Sequence, residues 1–144
     1  MADQHYGNHA KYFPLFHFVA APILVGQFVI AIIRAMKAGW TAGAIWDVVF
    51  AFGLVAMAFA ARLMALQVQN RVIRLEMQVR LAQVLPATMQ SRINDLRPGQ
   101  MVGLRFASDA ELPKLVERCL SGELAKAGDV KKEVKTWVAD HLRA

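Results

Sequence analysis

Apolar positions follow two regimes along this chain, nearly unbroken up to about residue 66 and periodic after it. Residues 12–33 form a stretch of 22 without a formal charge, and residues 48–61 add another 14, edged by Asp47 and Arg62. A hydrocarbon core about 30 Å thick is crossed by roughly 20 helical residues. The pattern therefore predicts two membrane-spanning helices, at about 15–33 and 45–66. The connection, residues 34–44, carries Gly39 and Gly43 and is short enough to force antiparallel neighbours. Pro14 suits a first helical turn, where its missing N–H costs nothing. Pro22 lies inside the first span, removes one backbone bond and predicts a kink near Phe18. Tyr12, Phe13, Phe16 and Phe18 crowd one end, with Trp40 and Trp46 at the other, as in aromatic belts at two headgroup levels.

Nothing between residues 44 and 85 breaks a helix except Gly53, which membrane helices tolerate. Span two is expected to continue as one rod of about 40 residues, on the order of 60 Å at 1.5 Å per residue. Past the bilayer, Ala61, Ala65, Val68, Val72, Leu75, Val79 and Ala82 recur at alternating spacings of four and three, a coiled-coil seam. Leu63, Leu66, Ile73, Met77 and Val84 make a second apolar row. Arg71, Arg74, Gln78 and an i, i+4 pair, Glu76 with Arg80, take much of the rest. Pro86 ends the rod. Short helices are predicted over 87–96 and 98–106. Another runs over 108–120, with Ser108 and Glu111 as a capping box and Ser121-Gly122 as its stop. A last one reaches residue 142 from an Asp129 N-cap, with Val130, Val134, Trp137 and Val138 on one face. No strand pattern of useful length appears, and the tail has a small core at best.

The predicted architecture is all-α. Residues 1–66 form an N-terminal segment and a transmembrane hairpin. Residues 67–144 form a cytoplasmic helical region, with an amphipathic extension over 67–85 and short helices over 87–143. Charge sharpens this division. Residues 67–144 hold thirteen Lys/Arg against nine Asp/Glu, and the whole chain carries a formal charge of +6. Arg62, Arg71, Arg74 and Arg80 follow span two and Lys11 precedes span one, against Arg34 and Lys37 in the loop. The positive-inside rule then places both termini in the cytoplasm. The uncharged stretch is too long for a signal-peptide core and lacks a basic start, which favours an uncleaved first span. A basic tail beside a membrane is most simply read as contact with anionic headgroups, carried by Arg71, Arg74, Lys131, Lys132 and Lys135. Nucleic acid is the weaker reading, since no recognition motif accompanies the charge.

Polar groups within the spans are the candidate intramembrane contacts, because burying them in hydrocarbon is costly. If the loop midpoint lies near Gly39–Trp40, residues whose numbers sum to about 79 share a depth. Arg34 then lies near Asp47, as a clasp closing the hairpin. His17 lies near Arg62, as a proton-linked pair or an anion-holding pair; an interfacial histidine beside a snorkelling arginine is the plainer reading. Gln27 is the one strongly polar side chain deep in a span and suits a bond to another helix. Ala51, Ala58, Ala61 and Gly53 allow close helix approach. His5 and His9 are too few for a metal site. Cys119 is the single cysteine and reads as a buried, inert thiol. No nucleophile, phosphate loop or cofactor motif is found, so the chain reads as non-enzymatic and without a cofactor.

Two stretches carry a resemblance. They are Asn70-Arg71-Val72-Ile73-Arg74-Leu75-Glu76 and Leu104-Arg105-Phe106-Ala107-Ser108-Asp109-Ala110-Glu111-Leu112-Pro113. With Asn8-His9-Ala10 and Pro14-Leu15-Phe16-His17-Phe18, the chain resembles a bacterial family of small two-span membrane proteins classed as a domain of unknown function. The resemblance implies a bacterial inner-membrane location and brings no activity, substrate or cofactor. The expected role is an accessory or scaffolding subunit whose partners are lipids and other membrane subunits or its own copies. The seam would bind a helix from a second copy, from a larger complex, or from the chain's own folded-back tail. The alternatives are a small homo-oligomeric channel or transporter and a membrane-tethered regulator whose basic tail binds nucleic acid or anionic lipid.

Overall fold

Pro22 cannot donate the helical bond that Phe18 would accept, and the backbone answers with a widened turn. In the computed structural model, which describes residues 5–7 and 12–140, a π-helical turn at Leu15–Ala20 leads into helix α1, Ala21–Lys37. The irregularity expected near Phe18 is thus a π turn, a common cause of a helix bend. Ala38 N–H donates to Arg34 O at 2.9 Å and Trp40 N–H to Ala35 O at 2.9 Å. Gly39 and Trp40 both take left-handed backbone angles, φ +68 and +57. Glycine accepts this without Cβ strain, so Gly39 bears the first half of the reversal. Helix α2, Ala42–Val84, follows, and the Ala44 N–H donates to Thr41 Oγ1 at 3.4 Å.

The described residues divide into two units, 12–66 and 67–140 with 5–7. In the first, the helices meet through small residues: Ala31, Ala35 and Ala51 are buried. Sequence reasoning named Ala51 and missed the two on α1. Ala58 is half-buried, while Gly53 and Ala61 are exposed. Aromatic pairs flank this contact, with Phe28–Phe52 centroids 5.8 Å apart and Phe16–Phe59 5.9 Å apart. Leu15–Lys37 and Ala42–Val84 are both long and apolar enough to cross a membrane, with mean hydropathies of 2.2 and 2.1 in their most apolar windows.

The second unit contains the last turns of α2, then α3 (Ala87–Gln90), a 3-10 turn (Ile93–Asp95), α4 (Pro98–Leu104), α5 (Leu112–Leu120) and α6 (Ala127–Glu133). Its core is larger than the sequence suggested. Ile73, Met77, Leu81 and Leu85 pack with Met101, Leu104, Leu112, Val116 and Val130, among others. Gly103 sets the approach of α4 to α6: a Cβ there would lie 2.7 Å from Val130 Cβ and 3.0 Å from Ala127 O.

Three predicted helix limits are corrected. The 87–96 helix is split into α3 and the 3-10 turn, because Gln90 Nε2 donates to Ala82 O and Leu85 O, both at 3.0 Å, and ties the chain back to α2. The 108–120 helix starts at Leu112. Ser108 Oγ does reach Glu111 Oε2 at 3.1 Å, but residues 109–111 form a turn ahead of the helix. Asp129 is not the N-cap of α6. Its carboxylate accepts from the N–H of Lys126 at 3.1 Å, from the third helical position.

Helix α6 also stops at Glu133 instead of running to 142; residues 141–144 lie outside the described residues. The following backbone is claimed from elsewhere. Glu111 Oε1 accepts from Lys135 N–H at 3.1 Å and from Thr136 N–H at 3.3 Å, and Phe106 O accepts from Val138 N–H at 2.8 Å. An isolated antiparallel bridge joins Ala107 to Trp137. Residues 134–138 thus form a strap, extended at Val134, bent at Lys135 and Thr136 and bridged at Trp137.

Burial works to raise the Glu111 pKa, and the N–H groups of Thr136 and Lys135 with Ser108 outweigh it, holding the carboxyl below its usual value. A carboxylate depressed in the folded state adds stability above its unfolded pKa and loses it as pH falls through the folded one. Acidification below about pH 4 is therefore expected to loosen the strap, read by Trp137 fluorescence in a Trp40→Phe and Trp46→Phe background. Glu111→Gln should cost about 0.5–1 kcal/mol at pH 7 after solvent screening and flatten that acid response. An unchanged acid response in the variant would contradict this assignment.

Candidate functional site

Between residues 67 and 84, helix α2 is apolar on two opposite sides. At 100° per residue, Ile73, Met77 and Leu81 fall on one side and Val68, Val72, Leu75 and Val79 on the other. The tail covers the first set, all buried. The second set stays exposed, Val68 at 62%, Val72 at 47%, Leu75 at 63% and Val79 at 61%. Ala61, Ala65 and Ala82 are exposed too. Over residues 67–84 the folded-back tail therefore does not cover the predicted seam; it takes the row on the opposite side. A shallow hollow of about 450 Å³ lies along the seam, lined by Leu75, Glu76, Val79, Arg80 and Gln83.

Arg80 fixes the division between the two sides. Instead of pairing with Glu76, it donates from Nε to Asp109 Oδ1 at 2.8 Å, from Nη1 to Arg105 O at 3.2 Å and from Nη2 to Ala107 O at 2.7 Å. One guanidinium fork thus holds the turn that carries Phe106, Ala107 and Asp109 against α2. Sequence reasoning missed this hub, because the i, i+4 rule sees only partners on the same helix. It also missed Gln100, a buried amide that joins α4 to the end of α5.

The basic groups proposed for headgroup or polyanion contact are dispersed. Arg71 and Arg74 are exposed on α2. Lys131, Lys132, Lys135 and Trp137 do not share a helix, since α6 ends before Lys135. Lys131 Nζ lies 5.3 Å from the centre of the Phe106 ring, and Trp137 packs on the same ring at 4.8 Å. Arg118 bridges Glu123 and Glu133, each at 2.6 Å, which raises its pKa and depresses that of Glu123. A cleft of about 170 Å³ between Arg92, Arg97, Gln100 and Gly122 was not anticipated.

The candidates within residues 12–66 stand apart. His17 is turned onto its own helix start, with Nδ1 2.9 Å from Phe13 O and 3.1 Å from Phe13 N. Its ring also meets Tyr12 and Phe16 edge-on, at 5.2 Å each. Arg62 is half-buried and Gln27 exposed. Arg34 and Asp47 are both exposed, and no ion pair joins them among the described residues. The hairpin is closed by alanines and phenylalanines in place of that clasp. No group of three or more metal-ligating side chains occurs among the described residues, and His9 lies outside them. Cys119 is buried, and burial pushes its thiol up to about 11.

The chain belongs to a family of unknown function, DUF6526, which matches it over residues 1–144. No curated protein and no solved structure matches it.

Proposed function

We propose that this chain is a non-enzymatic accessory or scaffolding subunit of a bacterial inner-membrane complex. The hairpin anchors it with both termini in the cytoplasm, and helix-to-helix contact is its mode of action. One observation carries the reading: α2 presents a second, uncovered apolar face opposite the one its own tail packs. A contiguous exposed apolar face on a folded chain marks a surface that something else covers. Charged neighbours Arg71, Arg74 and Glu76 argue against lipid tails as the cover at this level, because each charge at bilayer depth is costly. Exposed apolar windows on α1 and the start of α2 suit lipid or further spans, with Gln27 as a hydrogen-bonding group for one of them.

The channel reading needs a polar path, and Gln27 is the sole strongly polar group deep in the apolar stretch. The regulator reading needs a free stacking ring, and Trp137 is already laid on Phe106. Native mass spectrometry on protein extracted gently from its own membranes tests the scaffold directly. A defined assembly is expected; a bare monomer, or release of the chain by an alkaline wash, would sink the proposal.

A further inference from the structure

We infer that the uncovered face of α2 pairs with the same face of a second copy of this chain, as a parallel, in-register two-stranded coiled coil held by reciprocal Arg71–Glu76 contacts. This deepens the scaffold reading and rests on it, because a shared bilayer supplies the common orientation and depth. Two copies anchored the same way round present their emergent helices parallel and at matched height. The antiparallel and shifted alternatives are thereby removed before any side chain is considered.

The sequence along the seam fits that geometry. With Val72 and Val79 at the a positions, Val68 and Leu75 take the d positions of the heptad. β-Branched residues at a with leucine at d favour two strands. The positions beside the seam then decide register. Arg71 falls at g and Glu76 at the following e, five residues later, the pair that faces across a parallel in-register dimer. Two-fold symmetry makes each contact twice, Arg71 to Glu76 in both directions. The next such pair, Gln78 with Gln83, is neutral, and the Gln78 Nε2 already donates to Asn94 Oδ1 at 3.0 Å, so the charged pair alone decides register.

The structure leaves these groups available. Arg71 and Glu76 are exposed, and neither forms an ion pair among the described residues. Glu76 lacks its expected intrahelical partner because Arg80 is committed to Asp109. The tail occupies the opposite side of α2, on Ile73, Met77 and Leu81, so it does not obstruct the seam. The apolar stretch is short for a free coiled coil, where isolated helices of this length are marginal. Confinement of both copies to one membrane raises their effective concentration and offsets that shortness.

The test uses the full-length chain in its native membrane, with Leu75→Cys to trap the pair by mild oxidation. The buried Cys119 does not compete. A cross-linked species of twice the chain mass is expected, and none from Arg74→Cys, off the seam. Arg71→Glu and Glu76→Arg should each lower self-cross-linking about tenfold, since two attractive contacts become repulsive. Co-expression of those two variants, tagged to differ in mass, should restore a mixed dimer. Both sites are exposed, and rescue of the mixed dimer verifies that each variant folds. Homodimers indifferent to these charge changes would overturn the inference. Cross-linking to a different polypeptide would overturn it too, leaving the scaffold reading intact. No seam cross-link to any chain would overturn both.

Discussion

Phe106→Ala is expected to lower the stability of the 67–140 unit by about 3–5 kcal/mol. The ring is fully buried and works from every side. Trp137 lies on it at 4.8 Å with a 36° tilt, the Arg105 guanidinium sits 4.5 Å from its centre, and the Lys131 ammonium 5.3 Å. Its own carbonyl receives the Val138 N–H, so backbone and side chain hold the same strap. Truncation opens a cavity under Trp137 and removes the aromatic face that both cations use. Arg105, at 9% exposure and 3.3 Å from Asp140, then keeps its carboxylate and loses the ring beneath it. Denaturant unfolding of the full chain in micelles, in a Trp40→Phe and Trp46→Phe background that leaves Trp137 as the sole tryptophan, should show the loss, with emission shifted to the red. Phe106→Leu, which keeps much of the apolar volume, should fall between the two. A change below about 1 kcal/mol, or an unshifted emission, would mean that the ring does not organise the strap.

The two halves of the chain differ in how much their sequence discloses. The positions of the two long apolar helices, the loop near Gly39 and the irregularity near Phe18 follow from unbroken hydropathy and from Pro22, both local signals. So does the stop at Pro86. The tail is less legible because its decisive contacts are long-range. Glu111 has the spacing of a capping residue, yet its carboxylate is recruited by Lys135 and Thr136, 24 and 25 residues away. Arg80 has a carboxylate one turn back on its own helix and takes one 29 residues on. Periodicity also assigned the two rows of α2 incompletely. It found the seam and part of the second row, Ile73 and Met77 without Leu81, and gave no means of saying which one the tail would bury. The larger, more flexible set, Ile73, Met77 and Leu81, fills the tail's core, while the regular valine and leucine seam stays outside. The Arg34–Asp47 clasp was drawn from sequence position alone, and exposed side chains near a helix turn have little reason to hold one geometry.

Gln100 supplies the second large effect and the clearest separation of hydrogen bonding from packing. It is 3% exposed and lies in the first turn of α4. Nε2 donates to Cys119 O at 3.0 Å and to Leu124 O at 2.8 Å, while Oε1 accepts from the Arg97 N–H at 2.8 Å. One amide thus satisfies two carbonyls at and beyond the end of α5 and an N–H at the start of α4. Gln100→Ala takes this partner from Leu124 O and from the Arg97 N–H, while Cys119 O keeps the Gly122 N–H at 3.2 Å. At roughly 1–3 kcal/mol for a buried group left without a partner, a loss of about 2–4 kcal/mol is expected. The damage should be local first: amides of residues 119–126 should exchange faster with solvent before the unit as a whole unfolds. Gln100→Glu separates shape from donor chemistry. It keeps the volume and the acceptor for Arg97 but turns a carboxylate oxygen toward two carbonyls. Burial and those dipoles favour its protonated form, raising the folded pKa above the unfolded value. A carboxyl raised on folding is least harmful at low pH and grows costlier as pH rises. The glutamate variant should therefore approach the parent near pH 4 and fall toward the alanine variant at pH 7. A pH-independent deficit would instead assign Gln100 a packing role, with its three hydrogen bonds incidental.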